Sequence, residues 1–595
     1  MFDNCEHVAD ACAALTRTLL SHCPGLRVLA TSQEPLRIEG ENVWRLPPLV
    51  ESVELFTTRA AANHSAFPLD AAELAFVEEI CVRLDGSPLA IELAAARFAS
   101  LGAREILDRL DDRFPLLTSS RRDLPDRQRS LRAAMTWSYD LLGTEDRSLL
   151  DLLGVFVGSF DLAAVEHVAG ASIDALDSLG RLVDRSLVGV RSGEGRMRYQ
   201  LLESVRAFAV ERLTESGAEA DARECAARWF AASAARIAQD EDPNQYPALE
   251  LLGRDLDNYR AALAWFVAHD PVAGLQLAVH LCRLWGVSQF NLGEGSRWLS
   301  DTLAAATSAP SSLRAEALSG LALLHRLQNR LQSARELASA SLAEGDFRPG
   351  SALPARVVLG QILSLLGEFE EAERLYNEHL QLCRAAGDRF GQALALREVA
   401  SAALERGDTD LAATRIEEAA SCADGATWLA DVILGDRARI ALVRGDLALA
   451  REIQGEVLRT CNQVPRAIAG SSLGMARVER HFGDLEQARA LLGVDGRFLV
   501  DNDDLLGVAH VLVELGLGSA QALDWRAAAS ALALAERIRQ DAGAATPGSE
   551  ADGISAAIEG ARSALGAADV DRLFNHQVGD IVDAIRRLIE SLQTP

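Results

Sequence analysis

A six-residue turn ending in alanine recurs six times in the second half of this 595-residue chain, and its spacing strongly limits the possible fold. The turns read NRLQSA, GEFEEA, GDTDLA, GDLALA, GDLEQA and LDWRAA, and their alanines are Ala334, Ala372, Ala412, Ala450, Ala488 and Ala528. The intervals are 38, 40, 38, 38 and 40 residues. Two antiparallel helices with two turns occupy roughly this length, and alanine suits the point where two helices cross closely. The spacing therefore predicts a stack of helical hairpins.

These hairpins resemble tetratricopeptide repeats. Amphipathic helical patterns follow one another after about residue 215, so we expect a helical connector over 216–305 and a right-handed α-solenoid over 306–595. The concave face of such a stack is a predicted binding groove for a partner protein or a small inducer. A rigid spacer without a ligand is the alternative.

The first fifty residues predict an incomplete α/β domain. The apolar run GLRVLATS at 25–32 is typical of a buried parallel strand, and it follows a helical pattern over 6–22. A parallel sheet needs more strands than this segment supplies. The segment is therefore expected to be either a remnant of such a domain or the continuation of a chain that begins upstream of Met1. An uncovered strand edge near 25–32 favours association, including self-association, so we expect partnering or poor solubility of residues 1–595.

Residues 51–215 predict two further regions. Helical spacing over 51–118 indicates a small helical bundle. Within 119–215, helical patterns precede two alternating runs that flank the turn SGEG at 192–195, which is the order of a winged helix. The predicted fold class is therefore mostly α, with a partial α/β remnant, a helical bundle, a winged helix and an α-solenoid.

Composition excludes several kinds of site. All 59 basic residues are arginine, so the chain has no Schiff-base lysine and no phosphate-binding loop ending in Gly-Lys-Ser/Thr. The net charge of −27 works against binding to nucleic acid, and the expected recognition helix at 173–186 is itself acidic. No long apolar run or secretory signal pattern is present. We expect a cytoplasmic protein that binds neither DNA nor membranes directly.

Three short motifs lie in the order found in the second half of a nucleotide-binding domain: FDN at 2–4, TSQ at 31–33 and GSPLA at 86–90. An acid at the end of a strand can hold Mg²⁺, and a polar residue on the next strand can sense a γ-phosphate. A proline after a tight turn can pack on adenine. Each motif is weak by itself.

Longer stretches resemble the signal-transduction ATPases of the NB-ARC type, in the variant found in large bacterial regulators of the LuxR and AfsR kind. These stretches include GSPLAIELAAARF, LRAAMTWSYDLLGTEDRSLLDLLGVFVGSFDLAAVEHV, YQLLESVRAFAVERL and RDLDNYRAALAWF, and they lie before Phe266. The resemblance implies a regulator in which nucleotide state and an inducer on the repeats together control transcription. It also implies that the winged helix is an internal module.

The resemblance implies that Asp3 is the Mg²⁺-coordinating acid, and it places Asn4 and Gln33 at nucleotide-contacting positions. Gly86 and Pro88 match the family's Gly-x-Pro motif. Asn4 stands where many relatives have a second acid, and Gln33 stands where an arginine usually senses the γ-phosphate. The resemblance therefore implies a degenerate nucleotide site.

The family's nucleotide switch is a histidine followed by an aspartate, and these positions fall on Leu202 and Glu203. The contact to the diphosphate is therefore expected to be lost. We expect no ATP turnover by residues 1–595, and ATP or ADP with Mg²⁺ only in a longer native form.

The leading hypothesis is a regulatory or scaffold protein whose repeats bind a partner or inducer and whose winged helix couples them to the degenerate core. Two alternatives remain open. The chain is part of a complete ATPase switch that starts upstream, or it is a helical-repeat adaptor that binds neither nucleotide nor DNA.

Overall fold

The computed structural model describes residues 1–2, 5, 8–23, 25–32, 35–44, 49, 51–63, 71–110, 131–193, 196–239, 251–288, 291–345, 354–423, 427–460, 465–501 and 504–575. The chain divides into two compact units. The first unit comprises Met1–Phe230 and Asp255–Ala262, and the second comprises Ala231–Arg254 and Leu263–Pro595. Helices dominate the described residues of both, which confirms the mostly α fold class.

The N-terminal segment pairs in parallel, as predicted, but only at one point among the described residues. Phe2 forms a parallel bridge with Ala30 after the helix Ala9–His22. The Phe2 amide donates to the Leu29 carbonyl at 2.8 Å. The expected burial of this run was wrong for Leu29, whose side chain is 64% exposed. No described residue covers that side of the segment, so the apolar run lacks the cover that a parallel strand needs.

A helical bundle follows, built from Ser52–Asn63, Ala71–Arg83 and Pro88–Asp108, and the last of these is broken at Gly102, which has a φ of +72°. Its core contains the fully buried side chains of Phe56 and Ile91. The Phe56 ring meets the Phe98 ring edge-on, with centroids 5.9 Å apart. Apolar side chains at helical spacing thus form one contiguous core, as the sequence pattern predicts.

The winged-helix region has the predicted order of helices and then a hairpin. The helices are Leu131–Asp140, Thr144–Leu153, Leu162–Ala169 and Ala175–Asp184, with a 3₁₀ turn at Gly170–Ser172. Strands Gly189–Gly193 and Arg196–Gln200 pair antiparallel, and Val190 lies opposite Tyr199. The helix Glu203–Glu215 follows. Burial of Phe156 and Phe160, whose rings stack at 4.4 Å, anchors the hairpin side of the core.

Further helices lead into the repeats: Glu219–Gln239, Leu256–His269, Pro271–Ser288 and Leu292–Ala305. Six hairpins come next, and we number them repeats 1 to 6. Their helix pairs are Ser311–Leu327 with Leu331–Glu344, Ala355–Leu365 with Phe369–Ala386, Arg389–Glu405 with Thr409–Cys422, Thr427–Val443 with Leu447–Thr460, Pro465–Phe482 with Leu485–Asp501, and Leu505–Gln521 with Trp525–Ala542. Helices Gly548–Leu565 and Ala567–Asn575 follow repeat 6. No described helix is long and apolar enough to cross a membrane.

The recurrent alanines occupy one structural position. Each of the six is the fourth residue of the second helix of its repeat, and none is more than 4% exposed. The residue five positions before each alanine has a positive φ in all six turns. Four of these residues are glycine, and the other two are Asn329 and Leu523. Close helix contact and a left-handed turn residue therefore explain the repeated motif.

Candidate functional site

The residues expected at the nucleotide site are only partly visible. Asp3, Asn4 and Gln33 lie outside the described residues. Gly86 has a φ of +62°, so it sits in a backbone conformation that favours glycine. Its amide donates to the Cys81 carbonyl, and Pro88 is the first residue of the helix Pro88–Asp108. The GSPLA motif is thus a tight helix-to-helix turn, with proline where a helix tolerates it best.

This turn contacts the segment that carries Leu202 and Glu203. The Asp85 carboxylate accepts the Glu203 amide at 2.6 Å, although 118 residues separate them. Leu202 is the N-cap of the helix Glu203–Glu215 and has no capping side chain of its own. A carboxylate placed there satisfies an orphan amide and complements the positive helix end. The Glu203 side chain points elsewhere and pairs with Arg206 at 2.7 Å.

The helix expected to read DNA is engaged within the first unit. Arg181, on the helix Ala175–Asp184, pairs with the Asp146 carboxylate at 2.7 Å. Asp184, at the end of the same helix, pairs with Arg37 at 3.0 Å. Because a phosphate-binding surface needs uncommitted basic side chains, Arg181 is not available for such a role in this arrangement.

The motif RDLDNYRAALAWF docks on the winged helix through its own polar residues. The Asn258 side chain is 2% exposed and accepts the amides of Val157 and Gly158 at 3.0 and 3.2 Å. Its amide group donates to the Ser159 carbonyl at 2.9 Å. One buried asparagine thus supplies hydrogen-bond partners for three backbone groups of the loop at 157–159.

The second unit contains a cavity of about 750 Å³ on the inner side of its repeats. Side chains from the first helices of successive repeats line it, including Leu323, Val358, Leu394, Asp431 and Arg477. The groove predicted from the hairpin pattern is therefore present as a cavity.

Positively and negatively charged side chains line this cavity in equal numbers, four of each. They are Arg326, Arg397, Arg439 and Arg477, with Glu398, Glu405, Asp431 and Asp436. Arg397 contacts Glu398 at 2.5 Å and Asp436 at 3.0 Å. Burial opposes the charged form, but the two carboxylates outweigh it and raise the pKa of Arg397 above its usual value. Arg439 lies 3.6 Å from Glu405. Arg397 is thus neutralised by two carboxylates of the protein, whereas the buried Nε of Arg439 has no hydrogen-bond partner among the described residues.

A short segment, Gly543–Ser549, crosses one side of the cavity, and we call it the strap. The Ala545 amide donates to the Leu365 carbonyl of repeat 2 at 2.8 Å. The Ser549 hydroxyl donates to the Glu405 carboxylate of repeat 3 at 3.0 Å. Ala545, Thr546 and Pro547 all line the cavity. The strap therefore ties the end of repeat 6 to the early repeats.

A buried ion cluster fixes the C-terminal end of the strap. Glu550 accepts hydrogen bonds from Arg477 and Arg539, each at 2.7 Å, and lies 3.0 Å from the His510 ring nitrogen. Burial would raise the pKa of Glu550, but His510, Arg477 and Arg539 together hold it below its usual value. Because the cations come from repeats 5 and 6, the cluster joins three successive elements at the cavity wall.

A further contact links distant parts of the array. The Asn329 side chain, in the turn of repeat 1, accepts the Leu506 amide of repeat 6 at 3.1 Å. A residue of repeat 1 is therefore in direct contact with the start of repeat 6.

Two parts of the chain match known domain families. Residues 142–214 match a winged helix-turn-helix domain, and residues 352–424 match a tetratricopeptide repeat. Both matches agree with the domain types expected from the sequence.

Curated relatives cover part of the chain. The "Putative HTH-type transcriptional regulator Rv0890c" of Mycobacterium tuberculosis is 43% identical over 336 residues, which are 54% of this chain and 38% of that protein. An uncharacterized protein of the same organism is 45% identical over 230 residues, which are 37% of this chain and 58% of that protein. The chain therefore spans less than two thirds of either relative.

Among solved structures, a signal-transduction ATPase with a tetratricopeptide repeat sensor from Pyrococcus horikoshii aligns at a TM-score of 0.35 with 16% identity. The alignment covers 88% of this chain and 77% of that one. A Rap protein complexed with competence and sporulation factor aligns at a TM-score of 0.41 with 12% identity, covering 63% of this chain and 99% of that one.

Sequence reasoning missed three elements of the candidate sites: Asp85, the strap and the Glu550 cluster. Asp85 stands directly before Gly86, and an Asp-Gly pair is a recognisable turn signal. That signal predicts the turn but gives no indication of the partner 118 residues away. Glu550 is one of many acids on amphipathic helices, so its burial has no local signature.

Proposed function

We propose that this protein is a cytoplasmic regulatory protein that resembles ATP-dependent transcriptional regulators, and that its repeats sense a ligand without a need for bound nucleotide. The observation that carries the proposal is the cavity of about 750 Å³ inside the repeat array, with a strap at one side and partly buried ion pairs in its wall. A mere spacer needs neither a cavity of this size nor ion pairs lining it. The partial relatedness to a protein named as a transcriptional regulator supports the same role.

The winged helix is proposed as the relay. Two contacts support this role: Asn258 holds the helix Leu256–His269 to the loop after Leu153, and Asp85 holds the start of the helix Glu203–Glu215. In the family that the sequence resembles, the second position carries a nucleotide switch. Here a carboxylate already occupies that helix end, which supports relay without a diphosphate contact at Leu202.

The regulatory proposal is tested in the host. A strain without the gene is complemented with the wild type, with Gly435→Phe or with Gly293→Phe. Gly435 lines the cavity with open space beside it, whereas Gly293 is exposed on the outside of a helix. We expect deletion to change a defined set of transcripts, which the wild type and Gly293→Phe restore and Gly435→Phe does not. Transcript levels that ignore deletion, or equal rescue by both variants, would contradict a sensing role.

Nucleotide dependence is tested separately. We expect the melting temperature of residues 1–595 to stay unchanged with millimolar Mg-ATP, because a complete phosphate-binding loop needs the lysine that this chain lacks. A magnesium-dependent rise would instead support the alternative of an ATP-gated switch.

A further inference from the structure

We propose that the repeat cavity takes a small, largely apolar molecule without net charge, and not an anion or a nucleotide. This inference rests on the proposed sensing function and names the chemical class of its ligand. It follows from the walls of the cavity, the balance of its charges and the strap that crosses it.

The walls are mainly aliphatic. Leu323 and Leu327 come from repeat 1, Val357 and Val358 from repeat 2, and Leu442 from repeat 4. A pocket of several hundred cubic ångströms with such walls gains affinity chiefly by removing apolar surface from water. A ligand that fits must therefore present mostly carbon to the protein.

The lining carries four arginines and four carboxylates, so its formal charges balance. Arg397 contacts both Glu398 and Asp436. Arg439 lies 3.6 Å from Glu405, and in the described part of the chain its buried Nε has no hydrogen-bond partner, which a neutral acceptor group can supply. Arg477 contacts Glu514 at 2.8 Å and Glu550 at 2.7 Å. A phosphate or sulfonate would have to break these pairs and would leave carboxylates buried without a cation, which strongly opposes binding. An uncharged polar group can join the same network as a further hydrogen-bond partner.

The space exists partly because of glycine. Gly435 and Gly470 line the cavity, and a Cβ atom at either position would have no heavy atom within 4 Å. An aromatic side chain at these positions projects into open space and not into the helix core. These two sites therefore allow part of the cavity to be occupied with no clash at the Cβ atom.

The strap favours a compact molecule over an extended chain. Ala545 and Ser549 bridge repeat 6 to repeats 2 and 3 across the cavity. A peptide running along the concave face would have to pass beneath this bridge. A compact ligand can occupy the cavity without passing beneath the strap, because the strap covers only one side of it.

The test uses two fluorescent probes with one scaffold. N-Phenyl-1-naphthylamine is neutral, and 8-anilinonaphthalene-1-sulfonate carries the same rings with a negative charge. We expect the neutral probe to bind the full chain at one saturable site, and the sulfonate to bind at least about tenfold more weakly. Gly435→Phe should weaken the neutral probe about tenfold or more, and Gly293→Phe should leave it unchanged.

Gly470→Phe fills the cavity from a different helix and replaces Gly435→Phe if that variant fails to fold. If neither Gly435→Phe nor Gly470→Phe weakens binding of the neutral probe, the probe binds outside the cavity and the assignment is overturned. Equal affinity for both probes overturns the charge argument, as does saturable binding of a short acidic peptide in competition with the neutral probe. Absence of any probe binding would reject the ligand class while leaving regulation by a protein partner intact, since the transcript experiment tests that function independently.

Discussion

The repeat array and the winged-helix region reach stable structure by different routes. In the array, one local rule recurs six times: a positive-φ turn residue, then a buried alanine five positions later. In the winged-helix region, single side chains make contacts that occur once, such as Asn258 with the loop at 157–159. Repetition spreads stability over many equivalent contacts, whereas a unique contact concentrates it. The first kind of structure is readable from sequence, and the second is not.

The largest expected effect is on the pH dependence of stability in repeat 5. It comes from one buried acid, Asp495, which is not part of the repeated turn motif. Asp495 of repeat 5 is 1% exposed, and burial raises its pKa to about 8, although Ser472 and the Leu473 backbone act in the opposite direction. A carboxyl with a raised pKa stabilises the fold fully below about pH 4 and loses that contribution as the pH rises towards 8. We expect Asp495→Asn to match the wild type at pH 4 and to be more stable by about 4 kcal/mol at pH 8.

Urea unfolding at several pH values measures this difference. Asp446→Asn is the matched control, because Asp446 is exposed and caps a repeat helix through the Leu449 amide, a role that asparagine also fills. A pH-independent gap between Asp495→Asn and the wild type would rule out a buried titrating carboxyl.

The next prediction compares one substitution in the two regions. Asn258→Ala removes the partners of two amides and one carbonyl, so we expect the first unit to lose about 3 kcal/mol. Asn377→Ala, in repeat 2, removes one bond to the Glu373 carbonyl and should lose less than about 1 kcal/mol. Chemical denaturation of both variants decides the matter. Equal losses would abolish the proposed contrast between unique and repeated contacts.

A third variant opens the strap. A Cβ atom at Gly548 would lie 2.3 Å from the Glu405 backbone oxygen, so Gly548→Ala must displace the strap, and we expect a loss of about 1–2 kcal/mol. Gly553→Ala lies in the same helix with only ordinary contacts to Leu517 and should be neutral or slightly stabilising. Hydrogen exchange at the Ala545 amide reports the opening directly. Unchanged protection there in Gly548→Ala would show that the strap tolerates the extra atom.

The smallest expected effect concerns the turn residue with positive φ that precedes each recurrent alanine. Leu523 has a φ of +61° and is 70% exposed, whereas the corresponding residue of repeats 2 to 5 is glycine. We expect Leu523→Gly to stabilise the array by about 0.5–1 kcal/mol, since relief of backbone strain exceeds the added chain entropy. Gly407→Leu should have the opposite sign, and thermal unfolding compares the two. If Leu523→Gly destabilises the array, the Leu523 side chain contributes packing energy despite its 70% exposure, and the strain argument is wrong.

The predictable part of the fold follows from local geometry. Alternating apolar residues on either side of residues 192–195 predict the hairpin, and the spacing of the alanines predicts the register of all six repeats. The cavity follows only in outline, because its closure depends on how small rotations between repeats accumulate. Contacts such as Asn329 with Leu506 or Asp85 with Glu203 join residues more than a hundred positions apart. No local pattern encodes them, so the partners of these residues become visible only in the folded chain.

The contact between repeats 1 and 6 changes how the array can come apart. Open stacks of repeats fray from their free ends, so their terminal units melt first and folding can stop at any length. Here the Asn329–Leu506 bond links repeat 6 to repeat 1, and the strap links it to repeats 2 and 3. Fraying of repeat 6 must therefore break hydrogen bonds to residues far earlier in the chain, which an open stack does not require.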